Sequence, residues 1–270
     1  MNLLTLVQSL ENLKNEIRGK HLILFVDFDG TLLPIQRDPK KVFLSAEAKM
    51  ILSVLSRTIP VTIISGRSLK ELKRKVGIPE INLSGNHGLE IEGPAGFYLN
   101  SEAILSYHTI TKVCSLLNDT FKADPGIFIE DKGLSLSIHY NQIPAERHSE
   151  INQSILFALR HYLKSNKIRV SRGKNVMEIR PPSDWGKEDA IRWILYKYQN
   201  MNPQKEYFPL YAGDDITDLN ALLLVNRLGF ALWVGDREAK VQASAFVSSS
   251  LELVDFLFWL NTYLKERDAR

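Results

Sequence analysis

The stretch His21-Leu22-Ile23-Leu24-Phe25-Val26-Asp27-Phe28-Asp29-Gly30-Thr31-Leu32-Leu33 constrains this chain more than any other. Six mostly apolar residues, some β-branched or aromatic, run into two carboxylates, a glycine and a threonine. Such a run predicts a strand buried on both faces, as in the middle of a parallel sheet. In open α/β sheets chemistry gathers beyond the carboxyl ends of the strands, and Asp27 and Asp29, two residues apart, can point to one spot there. Gly30 permits a tight turn that brings backbone N–H groups close to an anion. Two carboxylates at one point repel unless a cation or a shared proton relieves them. Mg²⁺, a hard cation taking oxygen ligands, is the natural relief. A carboxylate held beside it can attack phosphorus and form an aspartyl-phosphate. The plainer alternative is a turn in which Asp29-Gly30 is ordinary turn chemistry, but that leaves Asp27 unexplained.

A length of 270 residues suits one large α/β domain or a core with an inserted lid. The 44% hydrophobic and 24% charged content is that of a globular protein, and a net charge of +3 without a dense basic block speaks against nucleic acid. Lys70-Glu71-Leu72-Lys73-Arg74-Lys75 reads as a solvated helix face. The single cysteine, Cys114, excludes an intramolecular disulfide and falls on an apolar helical stripe, where core packing is expected. No apolar run reaches the roughly 18–20 residues of a membrane span. The short Leu3–Val7 segment lacks a basic start and reads as part of an amphipathic helix, not a leader. A cytoplasmic monomer without membrane association is the expectation.

Along the chain, 2–18 predicts a helix, followed by the strand above. Ser45 is an N-cap for a helix over Ala46–Arg57, with Ala48, Ile51, Leu52 and Leu55 on one side. Strands are expected at 60–64, ending in Ser65-Gly66-Arg67-Ser68, and at 81–83, ending in Ser84-Gly85-Asn86-His87-Gly88, with a short helix to Lys75 between them. This alternation predicts a doubly wound, mainly parallel sheet. After a hairpin over 88–99 the pattern changes. Ala103, Tyr107, Ile110, Cys114, Leu117 and Phe121 form a helical stripe, strands follow at 127–130 and 133–140, and a second helix covers 145–164. Two more strands, 167–171 and 175–180, flank a turn at Arg172-Gly173-Lys174. This α-β-β-α-β-β block predicts an inserted α+β cap domain at 101–182, with the core made of 1–100 and 183–270. The α/β pattern then resumes with a helix opened by Trp185-Gly186-Lys187, a strand at 207–212 and Gly213-Asp214-Asp215-Ile216-Thr217-Asp218. A helix over 219–225, strands at 230–234 and 245–247, and a closing helix over 251–265 complete the chain.

Period two in the insert puts Leu134, Leu136, Ile138 and Tyr140 on one face and Ser135, Ser137 and His139 on the other. The polar face gathers Ser137, His139, Glu178 and Arg180, with Glu130 and Lys132 at a strand end. Exposure to solvent explains any one of them. A hydroxyl-rich ligand held by charge-assisted hydrogen bonds would explain them together.

Four polar strand or helix ends therefore converge on the core: Asp27/Asp29, Ser65-Gly66-Arg67, Lys187, and Asp214/Asp215/Asp218. Each has a local alternative, since Ser65 can cap a helix, Lys187 can be an exposed first-turn lysine, and Asp215 with Asp218 can answer a helix dipole. Together they supply what metal-dependent phosphoryl transfer needs: a nucleophile, a proton-handling carboxylate, acidic metal ligands, a hydroxyl donor and a fixed ammonium.

These segments resemble the four motifs of the haloacid-dehalogenase-like phosphatases. Ser65-Gly66-Arg67, Gly85-Asn86-His87-Gly88-Leu89-Glu90, Glu130-Asp131-Lys132-Gly133, His139-Tyr140 and Glu178-Ile179-Arg180-Pro181 narrow the resemblance to the trehalose-6-phosphate phosphatases. The resemblance implies Asp27 as nucleophile and Mg²⁺ ligand. It implies Asp29 as general acid and base, its backbone carbonyl also on the metal. Asp214 would complete the metal site, with Asp215 and Asp218 as ligands or support, and Ser65 and Lys187 would hold the phosphoryl group. Arg67, Asn86 and His87 would line the substrate cleft. Glu130, Lys132 and Glu178 would read glucose hydroxyls, with His139 and Arg180 beside them, and the cap would close over the disaccharide. Asn141 stands where the family commonly has arginine, and Glu188 where glycine usually follows the motif lysine. Both bear on the sugar, so a sucrose phosphate or a mannosyl- or glucosyl-glycerate phosphate is the competing substrate. A catalytically silent sugar-phosphate sensor, or transfer to another sugar, is the competing role.

Overall fold

Alternation along the central strand sets the layering. The computed structural model describes residues 3–34, 43–173, 175–236 and 241–268. Helix α1 (Leu3–Glu16) leads into β1 (His21–Asp27). From β1, Leu22, Leu24 and Val26 enter one apolar cluster, whereas Ile23 and Phe25 enter another. Both faces of the strand are thus covered, as its unbroken apolar run requires. Asp27 follows Ile23 and Phe25 in the same period.

The chain continues through α2 (Ala46–Leu55), β2 (Val61–Ile64), α3 (Leu69–Val76), β3 (Asn82–Gly85), β4 (Glu90–Gly93) and β5 (Gly96–Leu99). Ser45 caps α2, its hydroxyl accepting the Ala48 N–H at 3.1 Å, and Ala48, Ile51, Leu52 and Leu55 are buried, as expected. Next come α4 (Ser101–Thr120), β6 (Phe128–Asp131), β7 (Leu136–His139), α5 (His148–Lys164), β8 (Arg169–Gly173) and β9 (Val176–Arg180). The last group is α6 (Lys187–Met201), β10 (Tyr207–Gly213), α7 (Leu219–Leu228), β11 (Phe230–Val234), β12 (Ala245–Val247) and α8 (Ser250–Asp268). Lys174 of the expected 172–174 turn lies outside the described residues.

The chain divides into two compact units, one running through Tyr98 and resuming at Trp185, the other spanning Leu99–Asp184. The first holds an eight-stranded sheet in the order β12-β11-β10-β1-β2-β3-β4-β5. From β12 to β3 every pairing is parallel, and β4 turns antiparallel against β3. Strand order runs outward from β1 in both directions, so the switch point of this α/β sheet lies between β1 and β10. Residues of α1, α2, α3 and α8 pack in the cluster with Leu22, Leu24 and Val26. Residues of α6 and α7 pack in the cluster with Ile23 and Phe25. Asp27 therefore ends β1 on the α6/α7 side.

The second unit holds an antiparallel sheet, β6-β7-β9-β8, whose Leu136, Ile138, Met177 and Ile179 pack with α4 and α5. One expectation shifts here. On α4 the buried residues are Ala103, Ser106, Ile110, Val113 and Leu117, whereas Tyr107 is 52% exposed and Cys114 half-buried. Steps of three then four residues fit a helical stripe as well as steps of four then three. Periodicity left the choice open, and the polarity of Ser106 pointed the wrong way. No helix among the described residues is long and apolar enough to cross a membrane.

Candidate active site

Beyond the carboxyl end of β1 the chain curls back at once. The Leu32 and Leu33 N–H groups donate to the Phe28 carbonyl at 3.1 and 3.0 Å, and the Gly30 N–H donates to the Leu33 carbonyl at 2.8 Å. Gly30 adopts φ +92°, a value that suits a residue without Cβ. Space makes the same demand, because a Cβ there would collide with the Asp214 carboxylate. This glycine lets the loop after β1 lie directly against the carboxylate after β10. Gly30→Ala is accordingly expected to push Asp214 aside. The protein should still fold, while any rise in melting temperature on adding Mg²⁺ is lost; an undiminished rise would contradict this placement.

The parallel register of β1, β2 and β10 delivers the remaining groups. Asp27 pairs with Ile64, so Ser65 follows next to it, and Val26 pairs with Ala212, so Gly213 and Asp214 follow on the other side. Lys187 is the first residue of α6 and is almost fully buried. Its Nζ donates to Asp27 Oδ1 at 2.7 Å and to Asp218 Oδ1 at 2.6 Å. Thr31 Oγ1 donates to Asp214 Oδ1 at 2.6 Å. Oxygens of Asp27, Asp214 and Asp218 lie within 4.8 Å of one another, the arrangement expected of a site for a hard cation.

Within that trio the roles differ. Asp218 Oδ2 accepts the backbone N–H groups of Asp214 (3.2 Å) and Asp215 (3.1 Å). Its Oδ1 accepts Lys187 and the hydroxyl of the buried Tyr211. Four donors fill the acceptor positions of one carboxylate. Asp218 is thus committed to holding Lys187 and the loop, whereas Asp27 and Asp214 each have an oxygen with no protein donor among the described residues. Asp215 is exposed and outside the trio.

The electrostatics say the same. Burial pushes Asp27 well above the usual carboxylate range, with Lys187 pulling it down and the Asp218 and Asp214 charges pushing it up. Burial also raises Asp214, to about 6, against the hydrogen bond from Thr31. Burial disfavours the Lys187 ammonium, but Asp218 and Asp27 outweigh it and hold the group protonated, above its ordinary value. Three carboxyl groups around a single ammonium raise one another's proton affinity, and a cation bound among them would relieve that repulsion. An oxygen-only donor set of this kind fits Mg²⁺.

Asp29 lies apart from the trio. Arg67 grips it as a two-toothed fork, Nε to Oδ2 and Nη2 to Oδ1, both at 2.7 Å. Ser65 is buried, and its Oγ accepts the Arg67 N–H at 3.1 Å, leaving a hydroxyl proton to donate elsewhere. Asn86 and His87 both adopt left-handed backbone, at φ 49° and 56°. Such strain persists only where the surroundings over-determine it. Here the Asn86 and His87 N–H groups donate to the carbonyls of Arg67 and Ser65 at 2.7 and 2.9 Å, and the Asn86 amide donates to Glu90 at 2.7 Å. The His87 ring lies over Gly66, where a Cβ would approach Nε2 to 2.5 Å.

The other sequence-predicted residues gather on the second unit. His139 Nε2 is 2.9 Å from Glu130 Oε2, and Glu178 Oε1 receives Lys132 Nζ at 3.3 Å and Ser137 Oγ at 3.4 Å. Cross-strand pairs Glu130–Ser137 and Ser137–Glu178 set this row, and Arg180 lies two residues beyond Glu178 on β9. The Phe128 ring, 45% exposed, stacks on His139 with centroids 5.9 Å apart. Of the two departures, Glu188 hydrogen-bonds the Asn220 amide on α7 at 2.9 Å, and Asn141 is exposed. Tyr211 and Phe128 escaped the sequence reading. Tyr211 stands inside an apolar strand and Phe128 at a strand start, where either reads as core; only the alternation of β10, with Tyr211 two residues before Gly213, hints at the first.

A doubly wound parallel sheet, with carboxylates after its two middle strands, a serine after the next and a buried lysine opening a helix, defines a haloacid-dehalogenase-like phosphatase. Comparison with known proteins agrees. Residues 25–247 match the sequence model described as Trehalose-phosphatase, and the chain belongs to the trehalose-phosphatase family. It is 29% identical over 260 residues to trehalose-phosphate phosphatase B of Arabidopsis thaliana, covering 92% of this chain and 68% of that protein. It is 32% identical over 215 residues to the trehalose-phosphate phosphatase of Mycobacterium avium, covering 79% of this chain but only 54% of the relative. Among solved structures, the C-terminal domain of the C. albicans trehalose-6-phosphate phosphatase superposes with a TM-score of 0.76 at 23% identity, covering 97% of each chain. At that identity the likeness is one of fold.

Proposed function

We propose that the chain hydrolyses trehalose 6-phosphate to trehalose and phosphate by way of an aspartyl-phosphate on Asp27. The observation that carries this is the Asp27–Lys187–Asp218 bridge beside Asp214, a buried carboxylate kept in place by a fixed ammonium and next to a cation site. Asp27 and Asp214, with the Asp29 backbone carbonyl, would hold Mg²⁺, which when bound supplies positive charge to offset that of the phosphoryl oxygens. The chain's own groups do the rest. A carboxylate oxygen of Asp27 attacks phosphorus as the bond to the sugar oxygen breaks, and the Asp29 carboxyl gives its proton to that oxygen. Asp29, now ionised, takes a proton from water as the water attacks the phosphoryl group, releasing phosphate and restoring Asp27. Lys187 and the Ser65 hydroxyl hold the phosphoryl oxygens throughout.

Sugar selection falls to the polar sheet face of the second unit. Glu130, Glu178, Lys132 and Ser137 alternate acceptors and donors as glucose hydroxyls require, and His139 and Arg180 extend the same face. A single small sugar phosphate as partner, and a cytoplasmic setting, complete the proposal.

The test is phosphate release across a panel of sugar phosphates. Trehalose 6-phosphate is expected to be turned over fastest, with activity lost in EDTA and restored by Mg²⁺. A sucrose or glyceryl-glycoside phosphate turned over faster would overturn the substrate, and full activity in EDTA would overturn the metal. Because Mg²⁺ binds only the folded site, saturation at about 100 times its Kd should add about 2.7 kcal/mol of stability, read as a higher melting temperature.

A further inference from the structure

One charged side chain at the edge of the site has no part in the scheme above. Ser68 with Glu71 three residues on has the pattern of a reciprocal helix cap, in which the glutamate returns to the backbone N–H of the capping serine. Only half of that cap forms on α3. The Glu71 N–H donates to Ser68 Oγ at 3.3 Å, but the Glu71 carboxylate turns the other way, to Arg67, whose Nη1 donates to Oε1 at 2.5 Å. A charge-assisted bond to a buried guanidinium has been formed where an ordinary capping bond was available.

The same guanidinium also donates to Asp29 (Nε to Oδ2, Nη2 to Oδ1, both at 2.7 Å), and its Cζ lies 5.7 Å from the centre of the Phe28 ring. Behind Glu71, the buried Lys75 ammonium stands 3.7 Å from the same Oε1. Lys75, Glu71, Arg67 and Asp29 thus form a ladder of alternating charge, rooted in α3 and ending on a catalytic carboxylate. The ends differ in environment. The Arg67 side chain is 8% exposed and that of Asp29 45%. An exposed carboxylate on a tight loop has several rotamers to choose from, and only a partner fixed in the protein selects one. Arg67 is such a partner only while its own plane is held from the far side, since a long arginine side chain is itself rich in rotamers.

We infer that Glu71 is a positioning residue for the phosphatase reaction: through Arg67 it fixes the carboxylate of Asp29. The inference rests on the proposed role of Asp29 as proton donor to the leaving sugar oxygen, and the two are separable by leaving group. An alkoxide-like sugar oxygen needs that proton, whereas an aryl oxide such as p-nitrophenolate departs without it. The constant kcat/KM reports the steps up to the first irreversible departure.

The experiment measures kcat/KM for trehalose 6-phosphate and for p-nitrophenyl phosphate in the wild type and in Glu71→Ala, Glu71→Gln and Asp29→Asn, all checked for folding by thermal unfolding. Glu71→Ala is expected to lose about 10- to 100-fold on the sugar phosphate, as outer-shell partners do, and under about threefold on the aryl ester. Glu71→Gln keeps an acceptor oxygen for Arg67 Nη1 and should recover most of the loss. Asp29→Asn should show the same selectivity in stronger form. Equal losses on both substrates in Glu71→Ala, or none, with Asp29→Asn still selective, would overturn the brace alone. An unselective Asp29→Asn would overturn the acid role and the brace with it.

Discussion

Asp27→Asn is expected to lower turnover of trehalose 6-phosphate by at least about four orders of magnitude, as loss of a nucleophile does, while the protein remains folded. The change is isosteric, and an amide oxygen can still accept the Lys187 ammonium where Oδ1 now does at 2.7 Å. What disappears is a carboxylate able to attack phosphorus. Stability should move the opposite way to that of an ordinary salt-bridge deletion. Burial holds Asp27 above the usual carboxylate range in the folded protein. A carboxyl with a raised folded value binds its proton more tightly folded than unfolded, so it favours folding at low pH and opposes it as pH rises through that value. At neutral pH the neutral asparagine escapes this cost. In EDTA the variant should therefore melt no lower than the wild type. Turnover within tenfold of wild type would remove Asp27 from the nucleophile role, and a markedly lower melting temperature in EDTA would contradict the electrostatics.

Much of this site was legible because it lies at places where chain pattern breaks. The apolar run of β1 can end in two carboxylates only where the chain leaves the sheet at the strand's carboxyl end, and Gly213-Asp214 repeats the break at the end of β10. Lys187 was legible from its position, just after Trp185-Gly186 and before a helical stripe. Spacing gives no partner, so Lys187 could be read as a first-turn lysine in water until the register of β1 and β10 placed Asp27 and Asp218 at its Nζ. Asp215 and Asp218 looked alike as acidic residues near a helix start. Only the backbone path after β10 turns Asp218 inward and Asp215 outward. Glu71 was hidden for another reason. A run of Lys, Arg and Glu on a short helix reads as a solvated face, and it mostly is one, with Lys70, Lys73 and Arg74 exposed. The fold buries Lys75 and half-buries Glu71 out of that face, and Arg67 beside them selects the Glu71 carboxylate.

Removing the ammonium is expected to cost stability and activity together, and a second substitution should separate them. Lys187 lies between Asp27 and Asp218, with Nζ at 2.7 and 2.6 Å and side-chain exposures of 3%, 6% and 0% for the three. Lys187→Met leaves both carboxylates buried without their counter-charge, and breaking a buried pair from one side costs about 3–5 kcal/mol. It also takes a cation away from the transferring phosphoryl group, a loss of about two to three orders of magnitude in turnover. Adding Asp218→Asn removes one stranded charge. Its amide oxygen can accept the Asp214 and Asp215 N–H groups that Oδ2 now accepts at 3.2 and 3.1 Å, and its amide nitrogen can donate to the Tyr211 hydroxyl. The double variant should regain about 1–3 kcal/mol, the usual coupling of residues in one network, while its turnover stays down. Urea denaturation and phosphate release read the two quantities separately. If the double variant recovered turnover along with stability, Lys187 would serve the fold alone and the phosphoryl group would be held by other residues.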